Sequence, residues 1–223
     1  MQTVLITGAN RGIGLALAKQ YLGRGDRVIA VCRQGSAELD ASGAQVESGV
    51  DVTDDAALSA LAKRLGDTRI DVAWLNAGIL SRESLGDIDD QGFDALRNQF
   101  EVNALGPLRV VQALLGHLAR HAKVAIMTSR MGSVADNTSG GYYGYRASKA
   151  AVNAIGKSLA IDLRPRDISV FLMHPGYVAT DMVGGSGDIT PEQSAERLVS
   201  KLDVLELDQS GSFWHSDGSA LPW

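Results

Sequence analysis

Short β-branched runs alternate with longer stretches of helical period along the whole chain, and nothing else constrains the fold as strongly. The runs are Thr3–Thr7, Arg27–Val31, Gln45–Val50, Ile70–Leu75, Lys123–Thr128, Ile168–Met173 and Ser212–His215. Between them lie Ile13–Leu22, Asp55–Leu65, a long stretch near Gly92–Arg120, Tyr143–Leu163 and Pro191–Leu202. Two of these open on cap candidates: Thr53 ahead of Asp54-Asp55, and Thr190 ahead of a proline at the first helical position. Strands this apolar are buried on both faces, which requires helices on each side of a parallel sheet. The pattern predicts an α/β fold, a doubly wound, Rossmann-type parallel sheet of about seven strands. No Pro/Gly/Ser-rich linker divides it, so residues 1–223 read as a single domain.

Composition removes several function classes. With 45% hydrophobic and 21% charged residues, the chain has enough apolar surface to offset its ordering entropy, which excludes disorder. A formal net charge of −5 argues against nucleic acid as a partner. No run approaches the roughly 18 apolar residues of a membrane helix, and the start lacks the features of a signal peptide. The single cysteine, Cys32, cannot form an internal disulfide, and a cytoplasmic setting is expected. His117 and His121, spaced i, i+4, read as a solvated helix end, and no metal site is expected. His174, at the end of the sixth run, reads as structural. The 25 glycines have no regular period, and many stand immediately after apolar runs.

The first of these glycine segments, Thr7-Gly8-Ala9-Asn10-Arg11-Gly12-Ile13-Gly14, follows a strand directly and opens a helix. A diphosphate sits well on the positive end of a helix and on exposed backbone N–H groups. Glycine permits positive φ there and lets the backbone approach without Cβ contact. The segment differs from G-x-G-x-x-G in spacing and lacks the Gly-Lys-Ser/Thr of a P-loop, so a kinase or NTPase fits poorly. At the end of the second run stands Arg33 rather than the acidic residue that holds the ribose hydroxyls of NAD. Arg11 and Arg33 together suit a 2′-phosphate, which favours NADP(H) over NAD(H).

Tyr145 and Lys149 share a helix face at i, i+4. A free phenol, near pKa 10, is a poor proton catalyst at neutral pH, and the neighbouring ammonium is expected to lower it. On Thr7–Gly14, Asp51-Val52-Thr53, Asn76-Ala77-Gly78, Asn103, Ser129, Tyr145-x-x-x-Lys149 and Pro175–Thr180, the chain resembles the classical short-chain dehydrogenase/reductase family. The run Ser129–Asn137 and the ending Leu221-Pro222-Trp223 are similar to its C-factor/sniffer-type carbonyl reductases.

That resemblance implies a set of roles. Tyr145 donates or removes the proton, Lys149 holds the nicotinamide ribose and keeps the phenol acidic, and Ser129 bonds the same substrate oxygen. Asn103 anchors a water linking Lys149 to solvent. Gly8, Asn10, Arg11, Gly12, Ile13, Gly14 and Arg33 hold the phosphates. Asp51 and Val52 read the adenine, and Asn76, Ala77 and Gly78 line the adenosine side. Pro175 and Gly176 turn the chain so that Val178 and Thr180 meet the carboxamide. Leu75 departs from the family's Asn-Asn-Ala-Gly, and Ser133 competes with Ser129 for the serine role. Met131, Tyr142, Tyr143, Tyr177 and Met182 are candidates for an apolar rim, and residues 181–190, with Gly184-Gly185-Ser186-Gly187, for a short mobile substrate lid. The faces around Leu108–Leu118 and Ala147–Leu159 are candidates for a homodimer or homotetramer contact, with a monomer also open. The expectation is an NADP(H)-dependent oxidoreductase that reduces small or medium aldehydes and ketones, or oxidises the alcohols, by hydride transfer with Tyr145 as proton donor. The alternative is a nucleotide-binding signalling or sensor protein of C-factor type with little turnover.

Overall fold

The structure, a computed structural model, describes residues 1–223. Seven strands form one sheet: β1 (Thr3–Thr7), β2 (Arg27–Val31), β3 (Gln45–Glu47), β4 (Ile70–Leu75), β5 (Leu118–Met127), β6 (Ser169–His174) and β7 (Ser212–His215). Every neighbouring pair is parallel, in the order β3-β2-β1-β4-β5-β6-β7. The chain therefore winds outward from β1 in one direction and then, from β4, in the other. The point of reversal lies between the carboxyl ends of β1 and β4, the place where such sheets leave a crevice.

Seven α-helices join the strands: α1 (Gly12–Gly23), α2 (Ala37–Asp40), α3 (Asp55–Leu65), α4 (Asp90–Phe100), α5 (Gly106–Leu114), α6 (Tyr143–Leu163) and α7 (Pro191–Val204). Alternation along each strand sends neighbouring side chains to opposite faces. Leu5, Ile29, Ala73 and Leu172 join a core of 27 residues shared with α3, α5 and α6. Val4, Ile6, Trp74 and Phe171 join one of 23 residues shared with α1 and α7. The similar size of the two cores is what a sheet covered on both faces requires.

Several expected boundaries shift. The long stretch near Gly92–Arg120 is not one helix: α4 passes through a π-turn, Glu101–Leu105, into α5, and the chain is in β5 by Leu118. Its apolar period runs on through Leu114 and Leu118 because both face the same core, which hid the break at Gly116. His117 therefore sits on a turn, its Nδ1 3.2 Å from the Thr68 carbonyl oxygen, and His121 in the strand at φ 68°, so neither ends a helix. The cap of α3 is Asp54 rather than Thr53; its carboxylate accepts from the Ala56 and Ala57 N–H groups at 2.8 and 3.1 Å, while Thr53 donates to Asp51. Thr190 caps α7 as expected, in a reciprocal capping box with Gln193. The third strand stops at Glu47, three residues short of Val50.

Gly156 lets α6 lie close on the sheet: a Cβ there would stand 2.6 Å from Leu172 Cδ1. Gly156→Ala should cost about 1–3 kcal/mol of stability through overpacking, read as a lower urea midpoint with an unchanged slope.

Candidate active site

The β1 and β4 loops are sewn together across the point of reversal. The Asn76 side-chain amide donates to the carbonyl oxygens of Thr7 and Gly8, both at 3.1 Å. In return the Thr7 hydroxyl oxygen accepts from the N–H groups of Asn76 and Ala77 at 3.0 and 3.2 Å. Gly8 has φ 67° and Gly12 φ 53°. A Cβ on Gly14 would collide with the Gly8 carbonyl oxygen and lie 2.6 Å from the Asn76 amide nitrogen. No side chain caps α1 and no acidic residue stands in its first turn, so its N-terminal N–H groups are left for an anion.

A cleft of about 670 Å³ opens in front of these loops. Gly8, Asn10, Arg11, Gly12, Ile13, Arg33, Asp51, Val52, Asn76, Ala77, Gly78 and Thr180 all line it, with Cys32 among them. Gly14 packs behind the loop instead. Pro175, Gly176, Val178, Tyr145 and Lys149 lie beyond the lining, on the side where β5 and β6 end. The shape and the uncapped helix fit an extended dinucleotide with its diphosphate on α1.

Each of the two arginines faces a carboxylate. Arg11 Nη1 pairs with Asp181 Oδ2 at 3.0 Å across the mouth of the cleft, and Arg33 Nη1 stands 3.8 Å from Asp51 Oδ2. All four side chains are well exposed, so each pair contributes little, below about 1 kcal/mol, and can yield to a stronger anion. Burial works to raise the Asp51 carboxyl, but the Thr53 hydrogen bonds and the Arg33 charge outweigh it and hold the group below its ordinary value. Burial raises the Cys32 thiol.

On the far side, Ser129 follows β5 and opens a 3₁₀ turn, Arg130–Gly132, its Oγ accepting from the Met131 N–H at 3.1 Å. Gly132 explains the Ser-x-x-Gly spacing: a Cβ there would stand 2.7 Å from the Lys149 carbonyl carbon, so only glycine lets α6 come this near. Ser133 accepts from the Asp136 N–H at 3.1 Å and closes a local turn. Lys149 Nζ donates to the Met127 carbonyl oxygen at 2.9 Å and lies 5.6 Å from the centre of the Tyr145 ring.

The electrostatics correct one expectation. Burial pushes the Tyr145 phenol up to about 12, against a smaller downward pull from Ser129. Burial also brings the Lys149 ammonium down to about 8. The lysine does not make the phenol more acidic here, because desolvation penalises both charged forms and Lys149 is engaged with a carbonyl.

Asn103 sits in the π-turn, 1% exposed. Its Oδ1 accepts from the Ile79 N–H at 2.8 Å, and its Nδ2 donates to the Ile79 carbonyl oxygen at 2.9 Å and to Ser148 Oγ at 3.0 Å. Pro107, four residues on, has no N–H, so it cannot occupy the Asn103 carbonyl oxygen. Pro175 is fixed by Ser194 and Ser216, whose hydroxyls donate to its carbonyl oxygen at 2.8 and 2.9 Å, and Gly176 turns at φ 93°. Val178 bridges Ile189, and the segment expected as a mobile lid is pinned at several points. Asp181–Val183 form a 3₁₀ turn, and a Cβ on Gly187 would stand 2.5 Å from the Val178 carbonyl carbon. Of the rim candidates, Tyr143, Tyr177 and Met182 are 40 to 50% exposed. The half-buried His174 ring packs edge-on against His215 at 4.8 Å, and desolvation pushes it down to about 3, so it is neutral. Ser148, which accepts from Asn103, and the Met127 carbonyl, which accepts from Lys149, are site members that spacing could not reveal. No group of three or more His, Cys, Asp or Glu side chains gathers as a metal site.

Residues 2–200 match the family described as short chain dehydrogenase. The chain belongs to the short-chain dehydrogenase/reductase family. This oxidoreductase is 45% identical, over the full length of both chains, to the 1-hydroxy-2-glutathionyl-2-methyl-3-butene dehydrogenase of a Rhodococcus species. It is 42% identical to the C-signal protein of Myxococcus xanthus, over 69% of this chain and 93% of that one. Among solved structures it is similar to an NADPH-bound carbonyl reductase from chicken fatty liver, with a TM-score of 0.90, 27% identity, and 100% and 99% of the two chains covered. No helix of this dehydrogenase/reductase is long and apolar enough to cross a membrane.

Because Gly14 is where α1, β1 and β4 converge, Gly14→Ala should force the two loops apart. The expected result is loss of saturable NADPH binding by fluorescence titration, together with a lower urea midpoint.

Proposed function

We propose that the protein is an NADP(H)-dependent carbonyl reductase acting on small or medium aldehydes and ketones, or on the corresponding alcohols in reverse. The observation that carries this is the half-buried Tyr145 phenol set one helical turn from the buried Lys149, whose Nζ lies 5.6 Å from the ring centre, with Ser129 at the end of the neighbouring strand. A phenol held near 12 is protonated at neutral pH, the form that a proton donor requires. When bound, the reduced nicotinamide supplies the hydride that the carbonyl carbon accepts. Tyr145 then passes its proton to the carbonyl oxygen, and Ser129 bonds that oxygen as charge develops on it. Lys149 holds the ribose hydroxyls beside Gly78, and Asn103 offers its backbone carbonyl oxygen to a water that returns the proton to Lys149. Arg11 and Arg33 exchange their exposed carboxylates for the 2′-phosphate, which selects NADP(H); the NADPH of the chicken reductase supports that choice.

Gly8, Asn10, Gly12, Ile13 and the start of α1 hold the diphosphate, Asp51 and Val52 the adenine, Asn76, Ala77 and Gly78 the adenosine side, and Pro175, Gly176, Val178 and Thr180 the carboxamide. Residues 181–190 serve as the substrate loop, tied to the glycine loop by the Arg11–Asp181 pair. The faces around Leu108–Leu118 and Ala147–Leu159 are those through which a homodimer or homotetramer would form. A signalling role with little turnover is the competing reading, motivated by the C-signal relative, and the assembled Asn103, Ser129, Tyr145 and Lys149 set favours catalysis over it.

The test is a panel of aldehydes, ketones and alcohols, including a hydroxyalkyl glutathione conjugate because of the Rhodococcus relative, run with NADPH and NADH separately. Tyr145→Phe should lower kcat by roughly a hundredfold to ten-thousandfold while NADPH still binds. Ser129→Ala should be nearly as damaging and Ser133→Ala close to wild type. Replacing Arg11 or Arg33 by alanine should weaken NADPH about tenfold or more and leave NADH unchanged. Reduction should hold steady across neutral pH, and oxidation, which needs phenolate, should rise with pH. A wild type that binds NADPH yet turns over nothing would favour the signalling reading; equal use of NADH would sink the arginine assignment.

A further inference from the structure

The segment that follows Gly78 carries a buried carboxylate with no part in the chemistry above. Glu83 is 8% exposed and makes no ion pair; every partner it has is an uncharged donor. Its Oε1 accepts from Ser81 Oγ at 2.5 Å and from Gln99 Nε2 at 2.6 Å. Its Oε2 accepts from the Gly144 N–H at 3.2 Å, and its backbone carbonyl accepts from the Tyr142 N–H at 3.1 Å. Gln99, fully buried on α4, donates to Ser81 Oγ as well and accepts from the Ser81 N–H at 3.0 Å.

These bonds meet α6 where it lacks a cap of its own. Tyr142 precedes the helix in the left-handed region, at φ 52°, and makes no side-chain cap bond, so the first N–H groups of α6 depend on an outside acceptor. Glu83 is that acceptor, and its charge stands at the positive end of the helix dipole. The contact also has no slack. A Cβ on Gly144 would collide with the Gln99 amide and lie 3.0 Å from Leu96 Cγ, so α4 and α6 touch directly one residue before Tyr145.

We infer that Glu83, together with Gln99, is a positioning residue: it caps α6 from across the site and fixes the first helical turn, and with it the direction of the Tyr145 phenol. The kinetic consequence rests on the carbonyl reductase reading above; the capping itself does not. Ser81, Glu83 and Gln99 form a closed set in which each donor has one acceptor. An amide at position 83 breaks it in either orientation, because its NH₂ then faces either the Gln99 NH₂ or the Gly144 N–H. Exchanging the two groups restores it. In the pair Glu83→Gln with Gln99→Glu, the new amide oxygen accepts from Gly144, its NH₂ donates to the new carboxylate, and that carboxylate still accepts from Ser81.

The experiment therefore compares wild type, Glu83→Ala, Glu83→Gln, Gln99→Glu and the exchanged pair in three measurements: kcat with NADPH, the Kd for NADPH, and amide hydrogen exchange of the peptide spanning residues 142–148. Each single variant should lose exchange protection in that peptide and lose kcat, by about a hundredfold for Glu83→Ala. The Kd for NADPH should stay within about twofold of wild type, since the glycine loop is untouched. The exchanged pair should regain both protection and kcat. Unchanged protection in Glu83→Ala, or an exchanged pair no better than the single variants, would overturn the inference. A kcat that falls only in step with NADPH binding would also overturn it, by showing general loss of structure. A wild type with no turnover on any carbonyl or alcohol would refute the reductase reading, and the exchange measurement would still decide the capping.

Discussion

The close approach of the β1 and β4 loops is the constraint on which the rest of the site depends. At Gly14 the first helix comes so near the Gly8 carbonyl oxygen and the Asn76 amide that no side chain can stand between them. The Asn76 amide locks that arrangement by bonding two carbonyl oxygens of the glycine loop. Once the loops are joined, α1 points its uncapped end into the cleft, and Gly78 lies directly in front of the Lys149 ammonium. The cleft and the Tyr145–Lys149 pair are thus held by one set of backbone contacts.

Burial, rather than the Lys149 charge, governs the Tyr145 phenol. Tyr145 and Lys149 are both withdrawn from water, and desolvation moves each toward its neutral form. That state favours a proton donor and disfavours a base. The positive ring of an oxidised nicotinamide is the charge that would shift the balance toward phenolate. The phenol's direction depends in turn on the first turn of α6, which is held from outside by Glu83, Gln99 and the tight contact at Gly144.

Much of this was legible in the chain. Alternating runs identify the strands because a doubly covered sheet leaves each one apolar throughout, and Thr7–Gly14 identifies the tight loop between β1 and α1 because only glycine tolerates both the φ and the packing. The region from α4 to β5 was not legible, since its apolar period is set by a shared core and runs unbroken across a π-turn, a helix end and the start of a strand. Arg11 was singled out by charge, but its pairing with Asp181, 170 residues away, depends on tertiary placement. Glu83 escaped for the same reason: no spacing rule links it to Gly144, and a lone carboxylate in a polar segment ordinarily reads as solvated surface.

Tyrosinate ultraviolet difference spectroscopy during a pH titration, on wild type and Tyr145→Phe with and without NADP⁺, tests the role of the Tyr145 phenol most directly. Without cofactor, the titrations of the two proteins should coincide up to strongly alkaline pH, because Tyr145 stays protonated. With NADP⁺ bound, wild type should show one additional tyrosine ionising at distinctly lower pH, absent from Tyr145→Phe. Identical titrations in the presence of NADP⁺, with no ionisation assignable to Tyr145, would contradict proton transfer through this residue.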